Sequence, residues 1–336
     1  MMENNNKWRV FFTTLITMSF ILSACTAGTT ASPSPTIPNP PTSTPQSDLK
    51  GTITISGAFA LYPMMQIWGQ EFQKLHPAVQ FDISAGGAGK GMADALSGAV
   101  DIGMVSRAIS KDEEAKGAFW LAVTKDAVVI VVNEKNPVWE TLHTQGITQQ
   151  QLTDIYITGK ITTWGQLVGR SENTDPIHVF TRSDAAGAPD TIAKYMGKTQ
   201  TDLKGVGVFG DPGILDTVIK DPLGIGYNNM GYAYDPKTGL PVTGAAIVPI
   251  DVNGNGKVDS EEGVDTRQQI AQEILNGKYP SPPARDENLV TKGKPSGLTA
   301  TFIEWILGDG QKFIEESGYI LLPDDEIAAQ KLKLSQ

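Results

Sequence analysis

The chain has 336 residues, enough for two domains of ordinary size, and its 40% hydrophobic and 19% charged content is that of a soluble globular protein. A formal charge of −10 argues against nucleic acid or an anionic surface as the main partner. It leaves a small anion open, because a local array of amides and one arginine can override the global field.

Lys7 and Arg9 precede the apolar run 10–22, which is short for a membrane span and has the layout of a secretory signal. The run ends in Leu22-Ser23-Ala24-Cys25, and Cys25 is the single cysteine of the chain. That string resembles a bacterial lipobox, which implies a signal over residues 1–24 and lipid attachment at Cys25. One cysteine also leaves no intrachain disulfide in the exported product. Residues 25–49 are rich in Pro, Ser and Thr, with Pro33, Pro35, Pro38, Pro40, Pro41 and Pro45. Such a segment cannot bury a core and reads as an extended tether, which places a soluble body just outside a membrane.

Residues 51–107 alternate strand and helix patterns. Thr52 to Ile55 read as a strand, and Leu61, Met64, Met65, Trp68, Phe72 and Leu75 then form one apolar face at helical spacing. Val79, Phe81 and Ile83 alternate as the next strand; the glycines of 86–91 lead into a helix carrying Met92, Ala95 and Leu96; residues 99–105 close a β-α-β-α-β unit. Ser110 and Glu113 have capping-box spacing, as do Thr148 and Gln151. The apolar run 127–132 predicts a buried strand, and Pro137 beyond it marks a first crossing between two lobes near 133–137. Ile177, Val179 and Thr181 alternate up to Arg182, and Pro189 and Asp190 suit the first turn of a helix. Later strands are expected at 224–227, 246–250 and 288–291, with helices at 265–275, 298–307 and 325–334. The predicted division is residues 50–132 and 235–336 in one lobe and 133–234 in the other, each a mostly parallel sheet flanked by helices.

Three loops, at 57–60, 86–91 and 185–188, each lie between a strand and a helix pattern. Each can therefore expose backbone N–H groups at a positive helix end. Ser106, Arg107 and Arg182 stand immediately after their strands. Together these make a pocket for a tetrahedral or carboxylate anion; the plainer alternative is glycine-rich connections that serve close packing.

The strings LYPMMQIWGQEFQKLHPAVQFDISAGGAGKG, AVDIGMVSR, ITTWGQL, VFTRSD, GIGYNNMGYA, YPSPPARDENLVTKGKP and FIEWILGDGQKFIEESGYILLP resemble the periplasmic phosphate-binding proteins of ABC importers over almost all of residues 50–323. The resemblance implies a type II solute-binding fold: two α/β lobes closing over a ligand, with no chemistry done on it. It also implies phosphate or another small anion as ligand, an ABC permease as partner, a monomer, and an extracytoplasmic address with the lipid anchor on the membrane. Carried onto this chain, the ligand shell falls on Ala58, Phe59, Ala60, Ala88, Gly89, Ser106, Arg107, Arg182, Ala186, Gly187 and Ala188. The family usually offers hydroxyls where this chain has Ala58-Phe59, Ala88, Ala186 and Ala188, so an altered ligand is expected, with Phe59 against it. A lipid-tethered sensor or adhesive module of the same fold is the alternative function.

Residues 251–262 match the twelve-residue calcium loop. Asp251, Asn253 and Asn255 supply oxygens at positions 1, 3 and 5, Gly256 makes the turn at 6, the Lys257 carbonyl serves position 7, and Asp259 and Glu262 complete a hard-cation shell. A structural Ca2+ bracing an insertion in the first lobe is the expectation, against an ordinary Asn-Gly surface turn. No cofactor for chemistry is expected. His76, His143 and His178 lack metal-ligand spacing, Ser106 has no evident base and a Gly-x-Ser-x-Gly elbow is absent, so the chain reads as a binder and not an enzyme.

Overall fold

The computed structural model describes residues 49–336. The expected signal, Cys25 and all of the tether but its last residue lie outside the described residues. Among the described residues no helix is long and apolar enough to cross a membrane.

Among the described residues nine strands form one sheet: β1 (Gly51–Gly57), β2 (Val79–Ala85), β3 (Ile102–Val105), β4 (Ala118–Asn133), β5 (His178–Arg182), β6 (Val206–Val208), β7 (Gly224–Asn229), β8 (Ala245–Val248) and β9 (Ala284–Lys292). Their order is β2-β1-β3-β9-β4-β7-β5-β6, with β8 also on β4. β1 runs parallel to β2 and β3, and β5 parallel to β6 and β7. The centre is antiparallel: β9 pairs β3 and the first part of β4, while β7 and β8 pair its second part. The result is a mixed sheet in two halves that share β4. The apolar run at its end explains this, since Ala127 to Val132 are all buried and so must be covered on both faces.

Among the described residues twelve α-helices flank the sheet: α1 (Tyr62–Leu75), α2 (Ala88–Ser97), α3 (Lys111–Ala115), α4 (Trp139–Gln145), α5 (Gln149–Thr153), α6 (Trp164–Val168), α7 (Gly187–Tyr195), α8 (Gly210–Lys220), α9 (Met230–Ala233), α10 (Arg267–Leu275), α11 (Gly297–Leu307) and α12 (Asp324–Ser335). The periodic face of α1 buries Met64, Met65, Trp68 and Phe72 against Ile53, Ile55, Phe302 and Ile306. The Trp68 indole, which burial would otherwise leave unpaired, donates to the Gly310 carbonyl at 2.9 Å. The second half has two cores. One gathers Val128, Ile130, Trp164, Ile192 and Tyr227; the other gathers Val129, Val131, Ile214, Ile247 and Ile270.

The division of the chain differs from the expected one. β8 pairs β4 from Ile130 to Asn133, and Ile270 of α10 packs with Val129 and Val131, so residues 245–275, calcium loop included, belong to the second half and not the first. The return crossing is β9, whose Ala284 still faces Ala127 while its Lys292 faces Ala118. The reason is that Ala245 to Val248 are buried throughout. A short, wholly apolar strand carries no mark of which sheet it will join.

Candidate functional site

β1, β3 and β5 each deliver a loop to one junction between the halves. β1 ends at Gly57, where a Cβ would stand 2.3 Å from the Met104 carbonyl oxygen, so only glycine lets β1 and β3 approach there. The chain then turns through Ala58, Phe59 and Ala60 into α1. α2 starts after Gly87, whose φ of 92° is left-handed, and α7 starts after Ala186.

The loops of opposite halves touch. The Gly89 amide donates to the Ala185 carbonyl at 3.1 Å, and a Cβ on Gly187 would lie 2.0 Å from Ser106 Oγ. Ala58, Ala60, Ala88, Ser106, Ala186 and Ala188 are all buried here. Several amides that could face an anion are committed: Ala58 N–H to Met104 O at 2.9 Å, Gly86 and Gly87 N–H to Gly57 O at 2.9 and 3.0 Å, and Ala186 N–H to Gln200 Oε1 at 3.3 Å. In the first turn of α7 Pro189 has no N–H and the Asp190 amide donates to Ala186 O, so Gly187 and Ala188 are the amides left to face the junction.

Arg182 lies at the centre, its side chain 1% exposed. Its Nε donates to Asp184 Oδ1 at 2.8 Å, its Nη2 to Asp184 Oδ2 at 2.5 Å and its Nη1 to Asp211 Oδ2 at 2.5 Å. Burial by itself would lower the pKa of this guanidinium; Asp211 and Asp184 outweigh it and hold the charge more firmly than usual. For Asp184 burial acts upward, and the bonds from Arg182 and the Gly210 amide bring the net below the ordinary carboxylate value. Asp211 is in turn held by Asn229, from its backbone N–H at 3.1 Å and its Nδ2 at 2.7 Å. The Phe59 ring lies 5.3 Å from the guanidinium carbon and meets Phe209 edge-on at 5.7 Å. Tyr232 of the second half donates to the Phe59 carbonyl at 3.1 Å, tying the halves at this point.

Of the residues expected in the ligand shell, the structure brings Phe59, Ala88, Gly89, Ser106, Arg182, Ala186, Gly187 and Ala188 to the junction, with Ala58 and Ala60 buried beside Phe59. Arg107 goes elsewhere. Its Nη1 and Nη2 grip Glu113 at 3.0 and 2.7 Å. Burial would raise Glu113; this grip and the Ser110 amide bring it down to about 2 instead. Arg107 therefore lines an adjoining cavity of about 420 Å3 between the halves, together with Ile109, Trp120, Asp190, Lys194 and Arg285. Asp184 and Asp211, the two carboxylates on Arg182, are not in the set expected from the sequence. Asp184 stands two residues from Arg182 and was open to detection. Nothing local places residue 211 against residue 182.

In the calcium-type loop the Asp251 carboxylate accepts from the amides of Gly254, Asn255 and Gly256 at 2.7, 3.2 and 2.9 Å. Gly256 has the left-handed φ of 74° that its position requires. Glu262 accepts from the Val252 and Asp259 amides at 2.8 and 3.0 Å, and the Asn253 and Asn255 side-chain amides donate to Asp259 Oδ2 at 2.8 and 2.9 Å. Among the described residues no group of three or more His, Cys, Asp or Glu side chains stands ready to hold a metal ion. The loop braces the second half: the Val258 amide donates to Thr144 O at 2.9 Å and the Asp251 amide to Ile147 O at 3.1 Å. His143 pairs with Asp265 and His178 with Asp221, each at 2.7 Å on the surface.

Two α/β halves sharing crossing strands, with a buried arginine among facing helix starts, define a two-lobed solute-binding protein of the periplasmic-binding-protein type II class. A family model described as a PBP superfamily domain matches residues 42–310, and the chain belongs to that family. It is 26% identical over 279 residues to the phosphate-binding protein PstS of Bacillus subtilis, covering 82% of this chain and 83% of that one. It is 27% identical to protein SphX of Synechococcus elongatus, covering 82% and 78% of the two chains. Among solved structures it is similar to a phosphate ABC transporter substrate-binding protein with bound phosphate from Clostridium perfringens, with 25% identity, a TM-score of 0.66 and coverage of 81% and 100%. An ABC-type phosphate transport receptor from Vibrio cholerae shares the fold at 22% identity and a TM-score of 0.58, covering 80% and 100%. Like these carriers the chain is not an enzyme.

Proposed function

We propose that this chain is the extracytoplasmic, lipid-anchored solute-binding component of an ABC importer, delivering phosphate or a related small anion to a membrane permease. The observation that carries the reading is Arg182: a guanidinium 1% exposed, placed where the starts of α2 and α7 meet from opposite halves. Relatives named for phosphate binding support the ligand class, and the signal-like N-terminus with Cys25 supports the anchor. The buried alanines at 58, 88, 186 and 188 argue that phosphate itself is held weakly. Hydrogen bonds to a charged group contribute roughly 1.5–3 kcal/mol each, so a shell without those hydroxyls loses orders of magnitude in affinity.

Calorimetric titration of the purified protein with phosphate, sulfate and a small organic phosphate tests this. Anion binding that Arg182→Ala abolishes is expected, and no heat with any of the three would overturn it. A sensor or adhesive module on the same fold is favoured if the bound solute is uncharged.

We also propose that residues 251–262 hold Ca2+ as a structural brace. The oxygen donors at Asp251, Asn253, Asn255, Lys257, Asp259 and Glu262 suit a hard cation. On binding, the two asparagine side chains must turn their carbonyl oxygens inward, releasing Asp259.

A further inference from the structure

The polar chain that starts at Arg182 continues past Asp211 into the crossing strands. Asn229, which holds Asp211, accepts through its side-chain oxygen from Arg285 Nη2. Arg285, its side chain 7% exposed, stands 3.6 Å from Asp126 Oδ2 and 3.4 Å from Glu287 Oε1. Asp126 and Arg285 are partners across β4 and β9, just before β4 leaves β9 for β7. Asp126 and Glu287 are both 0% exposed. All four of their carboxylate oxygens, with Arg285 Nε and Nη1, lack a well-formed hydrogen bond among the described residues, the Ala127 and Met230 backbone groups giving Asp126 only weak support. Two fully buried carboxylates around one guanidinium leave an excess negative charge, a costly arrangement in a protein interior. One added proton removes that charge and supplies a donor.

We propose that Asp126, Arg285 and Glu287 form a proton-linked latch at the crossing strands: the closed protein holds a proton on this carboxylate pair, and parting the halves hydrates the pair and releases it. The latch does not depend on which solute the cleft takes.

The groups around the pair support this. From β9 come Arg285 and Asp286; from β4, Lys125, which is spent on Asp286 at 2.7 Å and Glu326 at 3.0 Å. From α8 comes Asp211, already bound to Arg182. Tyr232 and Tyr279 lie within electrostatic reach of Asp126, and Tyr319 of both carboxylates; burial keeps these phenols neutral, and their hydroxyls donate to the Phe59, Val128 and Ala60 carbonyls. Arg285 is thus the one cation bordering the pair among the described residues. Burial pushes Asp126 up to about 6 against the pull of Arg285, and burial lifts Glu287 well above the carboxylate range, with Asp126 and Asp211 adding to the rise. The closed form therefore binds a proton that the hydrated, open form does not. Closure is fully favoured below the hydrated pKa and is lost as pH rises through about 6 for Asp126 and further for Glu287.

The mature chain, Asp126→Asn and Glu287→Gln are compared without added solute by small-angle X-ray scattering between pH 5 and pH 8. Infrared spectroscopy follows the protonated-carboxyl band over the same range. The unmodified chain is expected to shift toward a more open particle as pH rises, Glu287→Gln to cut that shift by half or more, and the band seen near neutral pH to vanish in Glu287→Gln. A pH-independent particle, a shift that Glu287→Gln leaves unchanged, or no protonated-carboxyl band in the unmodified chain would each overturn the latch. If Glu287→Gln does not fold, Asp126→Asn takes its place, and if neither folds the band in the unmodified chain decides.

Discussion

Arg182 Nη1 donates to Asp211 Oδ2 at 2.5 Å, and both side chains are 1% exposed. The guanidinium that should meet a bound anion is thus already facing an anion of the chain itself, carried at the start of α8. On the proposed function a solute shares this guanidinium with Asp211 and Asp184, whose negative charges oppose a second anion.

Substituting Asp211→Asn keeps the size of the side chain and removes its charge. The loss of a charge-assisted buried bond should cost about 1–3 kcal/mol of stability, read as a lower Tm. Phosphate should bind tighter by about tenfold, equivalent to about 1.4 kcal/mol, in calorimetric titration. Unchanged or weaker phosphate binding would show that Asp211 does not compete.

At Gly187 the halves press together with no room for a side chain: an added Cβ would stand 2.0 Å from Ser106 Oγ and 2.3 Å from its carbonyl oxygen. Gly187→Ala should hold the halves apart while each keeps its own core. A folded protein with a larger radius of gyration, and anion affinity reduced tenfold or more, is the expected outcome of scattering and calorimetry.

Calcium should raise the melting temperature. With an affinity in the 10⁻⁴–10⁻³ M range of extracellular modules, 10 mM Ca2+ adds about 1.4–2.7 kcal/mol, a Tm rise of about 2–5 °C. Glu262→Ala should abolish the rise, although it also lowers the starting Tm because Glu262 accepts from the Val252 and Asp259 amides. A thermal melt with and without calcium separates the two effects.

Glu113 is held at about 2 against an ordinary value of 4.5, burial being outweighed by Arg107 and the Ser110 amide. A depressed carboxylate adds stability above its unfolded pKa and loses it as pH falls through the folded one. The Arg107–Glu113 contribution is therefore present above about 4.5 and fades toward about 2. Glu113→Gln should lower Tm at neutral pH and flatten the acid limb of a Tm-against-pH curve in that window.

Much of the molecule was legible residue by residue. The buried face of α1 follows from the spacing of Met64, Met65, Trp68 and Phe72; the cap of α3 follows from Ser110 and Glu113, and the Gly256 turn from the loop that contains it. The three glycine-bearing loops could be seen as helix starts because strand, turn and helix signals lie within a dozen residues of one another. Arg182 could be singled out because it ends its strand.

Other features were settled by packing across long stretches of chain. β8 joins the second half because its four buried residues find β4, a choice to which their apolar character is indifferent. Arg107 turns to Glu113 because a bidentate carboxylate six residues away is a better partner than a crowded junction. The line from Arg182 through Asp211 and Asn229 to Arg285 and Asp126 joins residues that no periodicity connects. Backbone propensity and hydrophobic spacing act over a turn or a strand. The partner of a buried charge is chosen by whichever elements the finished fold presses together, because a charge without water must take the neighbour that is there.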